Sequence, residues 1–245
     1  MREAVIVSYA RTAVGKAKKG SLKDTQPVAF GAAVLKAVVE RTPGLTPSMV
    51  DDVMVGCAMP EGEQGLNMGR LIALRAGFPV EVPATTGNRF CSSGSQTIAW
   101  AADVIRSGNA DIIIAGGVES MSMVPMSGYK PVAEPHLLAE HPEAYDSMGA
   151  TAEEVARRFE ISRQDQEVFA LRSHERALAA QQAGKFRDEI VPLEVEVHDG
   201  KVWQKRVFDT DEGPRGGSTL ADLAKLRPSF DPTGTVTAAT ASQMS

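Results

Sequence analysis

The sequence predicts an α/β fold in which helices cover both faces of a mostly parallel sheet, followed by a region of mixed α and β structure. Short apolar runs alternate with helical patterns up to Gly117, and one of these runs leads into a long, nearly uncharged helix. After Gly117 the composition changes to methionine, proline and loop residues. Alternating strands and helices are typical of parallel sheets, because each crossover places a helix on a sheet face.

The first predicted region comprises residues 1–117. Its predicted elements are strands at residues 4–8, 53–56 and 111–115 and helices near residues 27–40, 68–76 and 93–107. The last helix carries apolar residues around most of its circumference, which predicts that it is buried on nearly all sides.

The second predicted region comprises residues 118–245. Thr151 and Glu154 have capping-box spacing before a short helix, and Ser162 is expected to cap a longer helix that ends near Ala183. Two alternating runs predict a hairpin that turns at Asp199-Gly200. The arginines of the two helices are interpreted as solvated: Arg157, Arg158, Arg163, Arg172 and Arg176.

Composition and charge exclude some partners. A net charge of -5 and a pI near 5.5 argue against nucleic acid or an anionic membrane surface as the main partner. No uninterrupted apolar run is long enough to cross a bilayer, so membrane insertion is not expected. The first predicted strand begins by Ala4, which leaves no room for a cleaved signal and makes the cytoplasm the expected compartment.

The chain contains two cysteines and four histidines. Cys57 closes an apolar run, so a buried position at a strand end is preferred over a redox role. Nothing near Cys57 or Cys91 has zinc-ligand spacing, and no metal site is predicted. The histidines lie well after Cys91 and are interpreted as surface or loop residues: His136, His141, His174 and His198.

Cys91 is the candidate nucleophile. It lies where an extended run gives way to a helix that begins near Ser93. The first amide N–H groups of a helix have no partner within it and favour nearby negative charge, and the thiolate is the reactive form of cysteine. Arg89 adds positive charge if it points towards the sulfur. The alternative is a buried apolar filler, and the residue pattern alone leaves both open.

The segment Asn88-Arg89-Phe90-Cys91-Ser92-Ser93-Gly94 closely resembles the nucleophile segment of the thiolases. These are acetyl-CoA acyltransferases that make or cleave 3-ketoacyl thioesters. Further segments resemble the family in its own order: residues 5–11, Gly56-Cys57-Ala58-Met59-Pro60 with Gln64-Gly65, Gly116-Gly117-Val118-Glu119-Ser120-Met121-Ser122, Ser147-Met148-Gly149-Ala150-Thr151-Ala152-Glu153, and Arg227-Pro228-Ser229-Phe230 through Thr235-Val236-Thr237-Ala238.

The resemblance implies a thiolase-like layered fold, of which this chain has one half, with an α+β loop domain inserted near Val118. The loop domain covers coenzyme A, which is a substrate rather than a permanently bound cofactor. Methionines after Gly117 are interpreted as core fillers, or alternatively as the lining of an acyl channel. The matching coenzyme A residues are Arg215 near the nucleotide end, Phe230 in an apolar wall, Met148 near the reactive end, Ser242 beside the pantetheine arm, and Ala238 in a segment around the site.

Two positions depart from the family pattern. Ser147 stands where some members carry histidine, which leaves the acyl preference open. Ala239-Thr240 stands where the family usually has Gly-Asn, and alanine resists backbone angles that glycine permits. The backbone path beside the pantetheine arm is therefore open as well.

The resemblance also implies a mechanism and a missing part. Thiolases transfer an acyl group in two steps through a covalent intermediate and consist of two similar halves. The second half supplies a Gly-His-Pro histidine and a second cysteine, and such acid–base help is worth about 10²- to 10⁴-fold in rate. We therefore expect efficient turnover to need that half. The alternatives are a silent coenzyme A-binding or partner subunit and a related ketoacyl synthase or lipid-binding thiolase-like protein.

Partners follow from the same resemblance. A homodimer or homotetramer, or pairing with a complementing C-terminal chain, is expected, with residues 85–88 facing the neighbour. Because the last strands of the sheet are also missing, an unpaired sheet edge and an apolar face are predicted. The chain alone is therefore expected to aggregate or to pair.

Overall fold

The computed structural model describes residues 2–245, which form two units. The first unit comprises the described residues up to Lys130, Arg187–Glu212 and Ser245, and the second comprises Pro131–Phe186 and Gly213–Met244. The predicted domain division after Gly117 does not coincide with these boundaries and stays a prediction.

A three-stranded parallel sheet forms the centre of the first unit. Strands β1 (Asp52–Gly56), β2 (Ala84–Gly87) and β3 (Ile113–Gly117) lie in the order β2-β1-β3. The register places Gly56 opposite both Gly87 and Gly117, so all three strands end at the same edge. The predicted parallel sheet is confirmed, with β3 beginning two residues later than expected.

Helices α1 (Pro27–Glu40) and α2 (Met68–Arg75) cover one face of this sheet and confirm two predicted helices. Proline at the first position of α1 favours a helix start, because its missing N–H would have no partner there. The side chains that join the helices to β1 form one buried cluster, which includes Leu35, Val39, Val53, Val55, Met68 and Ile72. This cluster is the hydrophobic core of the first unit.

Helix α3 (Ser93–Ser107) covers the opposite face. Val55 belongs to the cluster beneath α1 and α2, and the next residue, Gly56, contacts Ser93, as expected for alternating residues of a strand. The predicted bounds of α3 are confirmed. The prediction that it is buried on nearly all sides is wrong: its buried residues form a narrow stripe, and Ile98 is 45% exposed. A helix on a three-stranded sheet is covered on one side only.

The predicted strand at residues 4–8 is absent from the described structure. Val5, Ile6 and Val7 are at least 72% exposed, and pairing begins at Arg11, which bridges Ile190. An apolar sequence favours an extended backbone, but a strand also needs a neighbour for its N–H and C=O groups. Among residues 2–245, no such neighbour lies beside residues 4–8.

A hairpin from the second half of the sequence also belongs to the first unit. Strands β4 (Leu193–His198) and β5 (Trp203–Phe208) pair antiparallel, which confirms the predicted hairpin. At its turn the Asp199 carboxylate accepts two backbone N–H groups, and Gly200 adopts φ +100°. The Arg11 guanidinium binds the Asp211 carboxylate through both terminal nitrogens and anchors the segment after β5.

The second unit is mainly helical. Its helices are α4 (Pro135–Glu140), α5 (Met148–Arg158), α6 (Arg163–Gln182) and α7 (Leu220–Leu223), with a short 3-10 helix at Pro142–Tyr145. Two further 3-10 helices, at Pro47–Met49 and Gly62–Gln64, belong to the first unit. The predicted cap of α6 is confirmed, because the Ser162 hydroxyl accepts the Asp165 N–H at 3.1 Å. No helix within residues 2–245 has the length and apolar character needed to cross a membrane.

Two predictions in this unit are wrong. Helix α5 begins one turn before the predicted capping box, because Ser147 has an extended backbone and accepts the Ala150 N–H. Arg163 is not simply solvated: its guanidinium donates to the buried Glu167 carboxylate at 2.5 Å and to the carbonyl oxygens of Leu223 and Leu226. The other four arginines are exposed, as predicted.

Candidate active site

Cys91 lies in a tight turn between β2 and α3. The residue before it, Phe90, has φ +46°, a left-handed conformation that costs a non-glycine residue about 1–3 kcal/mol. Ser93 holds this turn, because its hydroxyl donates to the Phe90 carbonyl at 2.5 Å and accepts the Arg89 N–H at 2.9 Å. The first residue of the helix therefore fixes the backbone that presents Cys91.

Asn88 attaches the same turn to the end of β1. Its Oδ1 accepts the Phe90 N–H at 2.8 Å, and its Nδ2 donates to the Ala58 carbonyl at 3.0 Å. The backbone N–H of Cys57 also donates to the Gly87 carbonyl at 2.9 Å. One asparagine side chain thus connects the turn that carries Cys91 with the loop after β1.

The amino end of α3 lies directly against the carboxyl ends of the strands. A Cβ atom at Gly56 would come within 2.3 Å of the Ser93 carbonyl carbon, so only glycine permits this approach. The Ser92 side chain makes no capping hydrogen bond. The carboxyl edge of a parallel sheet is where α/β proteins usually bind ligands, and a helix amino end stabilises an anion placed there.

The Cys91 thiol is exposed, which excludes a buried apolar filler. Within residues 2–245 no side chain forms a hydrogen bond with its sulfur. The Arg89 guanidinium donates to Gln96 Oε1 at 2.5 Å, so this residue of α3 fixes the direction in which the Arg89 side chain points. His136 and His141 are exposed, and His174 and His198 are half-buried.

Cys57 has the opposite surroundings. It is 1% exposed at the end of β1, which confirms the predicted buried position. Burial, reinforced by the neighbouring Glu119 carboxylate, raises the pKa of its thiol to about 12. Cys57 therefore remains protonated at neutral pH. Among the described residues, no cluster of His, Cys, Asp and Glu side chains has the arrangement of a metal site.

The five predicted coenzyme A residues all belong to the second unit, whereas Cys91 belongs to the first. Met148 is the exposed first residue of α5, and the Phe230 ring packs against the next residue, Gly149. Arg215 is exposed, and its backbone N–H donates to Nδ1 of His174 at 3.2 Å. Ala238 and Ser242 are exposed as well, and the roles of all five remain predictions.

A buried acid organises the loop that carries Phe230 and Ala238. The Glu153 carboxylate is 3% exposed and accepts the N–H groups of Thr235 and Val236 at 2.9 and 2.8 Å. Burial alone would raise the pKa of Glu153, but these hydrogen bonds lower it overall. The second unit thereby brings together Met148, Phe230 and the segment before Ala238.

Sequence analysis missed the roles of Asn88 and Glu153. Glu153 had a detectable signal, because it shares a helical stripe with the small residues Gly149 and Ala156, which are both buried. An ionised residue on a buried stripe requires hydrogen-bond partners. Asn88 had no comparable signal, since its second partner, Ala58, is 30 residues away in the sequence.

This chain resembles known thiolases in sequence. A family model described as the thiolase N-terminal domain matches residues 4–245. The chain is 54% identical to the 3-ketoacyl-CoA thiolase of Bacillus subtilis (strain 168), with 100% of the chain and 64% of that protein aligned. It is 45% identical to 3-ketoacyl-CoA thiolase 5, peroxisomal, of Arabidopsis thaliana, with 98% and 54% aligned.

A third relative is the acetyl-CoA acetyltransferase of Pseudomonas aeruginosa, which is 40% identical, with 100% of the chain and 64% of that protein aligned. The chain spans between about half and two thirds of the length of these relatives. The family match extends from residue 4 through the turn that carries Cys91 to the last residue. The chain belongs to the thiolase family.

Proposed function

We propose that this chain is the nucleophile-bearing part of a thiolase and that Cys91 carries the acyl group as a thioester. The observation that carries the proposal is the exposed Cys91 thiol at the amino end of α3, presented by a left-handed turn at Phe90. A thiolate at this position is stabilised by the helix dipole and accessible to a substrate. The identity to 3-ketoacyl-CoA thiolases supports the same chemistry.

In the degradative direction, the Cys91 thiolate attacks the keto carbon of a 3-ketoacyl-CoA. The bond between that carbon and the adjacent CH₂ breaks, and the released carbanion takes a proton to become acetyl-CoA. A coenzyme A thiolate then attacks the thioester, and Cys91 leaves as a thiolate. The reverse direction joins two acetyl groups by Claisen condensation. The backbone N–H of Cys91 is a candidate donor to the developing oxyanion.

Coenzyme A is proposed to bind as a substrate to the exposed residues of the second unit. Arg215 suits the nucleotide end, because a guanidinium both stacks on flat rings and binds phosphate. Phe230 suits an apolar wall, Met148 the reactive end, and Ala238 with Ser242 the pantetheine arm. We place the complete enzyme in the cytoplasm as a homodimer or homotetramer, with residues 85–88 facing a neighbour.

A second candidate is a catalytically silent subunit that binds coenzyme A or supports a partner chain. The observation in its favour is that no base within residues 2–245 forms a hydrogen bond with the Cys91 thiol. A thiolase needs acid and base groups, which the family takes from its second half. If the enzyme proposal holds, either the coding frame after Ser245 or an adjacent gene should contain a Gly-His-Pro segment and a later Cys-x-Gly.

The direct test uses the longest natural polypeptide, with any complementing chain, exposed to acetyl-CoA or acetoacetyl-CoA. Mass spectrometry should detect an acyl group on the peptide that contains Cys91, and Cys91→Ser should remove both the adduct and thiolysis. Cys57→Ser is the matched control, because this cysteine is buried, and the adduct should persist. Coenzyme A binding without any adduct would favour the silent subunit. Unchanged turnover in Cys91→Ser would exclude Cys91 as the acyl carrier and would overturn the first proposal.

A further inference from the structure

Two hydrogen-bonded side chains, the buried Gln64 and the half-buried Glu119, lie behind the nucleophile turn and take no part in the mechanism above. The Gln64 side chain is fully buried, and its Nε2 donates to Glu119 Oε1 at 2.5 Å and to the Met59 carbonyl at 2.8 Å. Its Oε1 accepts the Ser120 N–H. Every donor and acceptor of the amide faces a complementary partner, so only one orientation of Gln64 satisfies all of them.

The Glu119 carboxylate is held entirely by hydrogen-bond donors. Its Oε2 accepts the Ala58 N–H at 2.6 Å, and its Oε1 accepts from Gln64 and lies 3.8 Å from the Cys57 sulfur. Since Cys57 stays protonated, its S–H is a third hydrogen-bond donor to this carboxylate. Among the described residues Glu119 forms no ion pair. Its fixed position depends on the geometry of these donors.

The Ala58 peptide connects this pair with the turn that carries Cys91. Its N–H donates to Glu119, and its carbonyl accepts from Asn88 Nδ2 at 3.0 Å. Asn88 Oδ1 in turn accepts the N–H of Phe90, the left-handed residue next to the nucleophile. An unbroken chain of hydrogen bonds therefore runs from Gln64 through Glu119, Ala58 and Asn88 to the turn.

We propose that Glu119 and Gln64 are positioning residues for the nucleophile: through Ala58 and Asn88 they fix the turn so that the Cys91 sulfur lies at the amino end of α3. The expected effect on turnover rests on the proposed function, whereas the expected effect on the geometry of the turn does not. Misplacing a reacting group by about 1 Å costs about 10²-fold in rate, even when the substituted residue lies away from the chemistry. A left-handed residue before the nucleophile makes such a shift easy if its restraints are lost.

The informative variant is Glu119→Gln, which keeps the shape of the side chain. If its amide oxygen faces Ala58, its NH₂ opposes the NH₂ of Gln64; if it turns over, the Ala58 N–H loses its acceptor. In the full-length protein we expect kcat for thiolysis to fall about 10²-fold, with KM for coenzyme A changed by less than about threefold. The rate of Cys91 alkylation by iodoacetamide should fall at least about fivefold.

Asn88→Ser tests the route. Serine still offers an acceptor to the Phe90 N–H but cannot reach Ala58. Because both substitutions break the same chain, the double variant should be no slower than the slower single variant within about twofold, whereas independent effects would multiply. Glu81→Gln makes the same chemical change at an exposed position of the first unit and should match the unsubstituted protein.

The outcomes separate this proposal from its alternatives. A folded Glu119→Gln variant with kcat and alkylation rate within twofold of the control overturns it, as do multiplicative effects in the double variant. Faster alkylation also overturns it, because removing a negative charge without moving the turn would favour the thiolate. If the unsubstituted full-length protein shows no thiolysis, the proposed function fails, and the alkylation rates of the single and double variants still decide the positioning role.

Discussion

Cys57 and Cys91 follow neighbouring strands at the same edge of one sheet, yet their surroundings are opposite. Cys57 is 1% exposed, faces the Glu119 carboxylate and has a pKa raised to about 12. Cys91 is exposed, lies at the amino end of a helix and has no hydrogen-bond partner for its sulfur among the described residues. The comparison teaches that the local turn, rather than the residue type or the sheet edge, decides which thiol is available for chemistry.

The largest expected difference is in alkylation. At pH 7.5 the raised pKa of Cys57 reduces its thiolate fraction about 10³-fold relative to an ordinary thiol, and burial slows it further. Iodoacetamide followed by peptide mass spectrometry should therefore label Cys91 and leave Cys57 unmodified. Labelling of Cys57 should rise about tenfold per pH unit while the fold persists. Comparable labelling of both cysteines in the folded protein would contradict the comparison.

A second test moves the helix away from the sheet. Gly56→Ala places a Cβ 2.3 Å from the Ser93 carbonyl carbon, so the amino end of α3 must shift, at a cost of about 1–3 kcal/mol in the free energy of unfolding. Gly116→Ala is the control, because no atom lies within 4 Å of its added Cβ. Urea unfolding and Cys91 alkylation should both distinguish the two variants. Equal stability of the two variants would exclude the close approach.

A third test loosens the turn without moving the helix. Ser93→Ala removes the hydroxyl that binds Phe90 and Arg89 and should reduce the free energy of unfolding by about 1–2 kcal/mol. Ser95→Ala, at an exposed position two residues later, should change it by less than about 0.5 kcal/mol. We expect slower Cys91 alkylation in Ser93→Ala alone. Identical behaviour of the two variants would show that the hydroxyl does not restrain the turn.

The smallest expected effect concerns the buried acid Glu153, whose pKa is lowered, whereas the pKa of the buried Cys57 is raised. Burial raises the pKa of both Cys57 and Glu153, but backbone N–H donors surround Glu153 and lower its pKa overall. A lowered folded-state pKa contributes stability above the unfolded value of about 4.3, and this is lost as pH falls through the folded value. Thermal midpoints should therefore fall more steeply below pH 4.3 in the unsubstituted chain than in Glu153→Gln. Parallel pH profiles would contradict this.

The helices and the parallel sheet were predictable because their patterns are local. Residues 93–107 carry a helical pattern bounded by Ser92 and Gly108, and the structure places α3 at those bounds. The strand at residues 4–8 failed because pairing depends on a neighbour that a local pattern does not contain. The burial of α3 failed for a related reason: its apolar residues are visible in the sequence, but the number of strands that cover it is not.

The candidate site was predictable only in part. The Asn88-to-Gly94 segment singles out Cys91, and the placement of this cysteine before a helix predicts a reactive thiol. The hydrogen bonds behind it join residues 30, 61 and 55 positions apart, from Asn88 through Ala58 and Glu119 to Gln64, and no spacing rule connects them. In the sequence these residues stand out only as parts of family motifs, because polar side chains acquire their partners only when the chain folds.

The contact between Arg11 and the segment at Ile190 also has a consequence for synthesis of the chain. During translation, the residues near the start cannot pair until the hairpin has been synthesised. Residues 131–186, which belong to the other unit, emerge from the ribosome in between. The segment that carries Arg11 can therefore pair only after residue 190 has emerged. Nascent chains arrested before residue 190 should accordingly depend more on chaperones than chains arrested after residue 212.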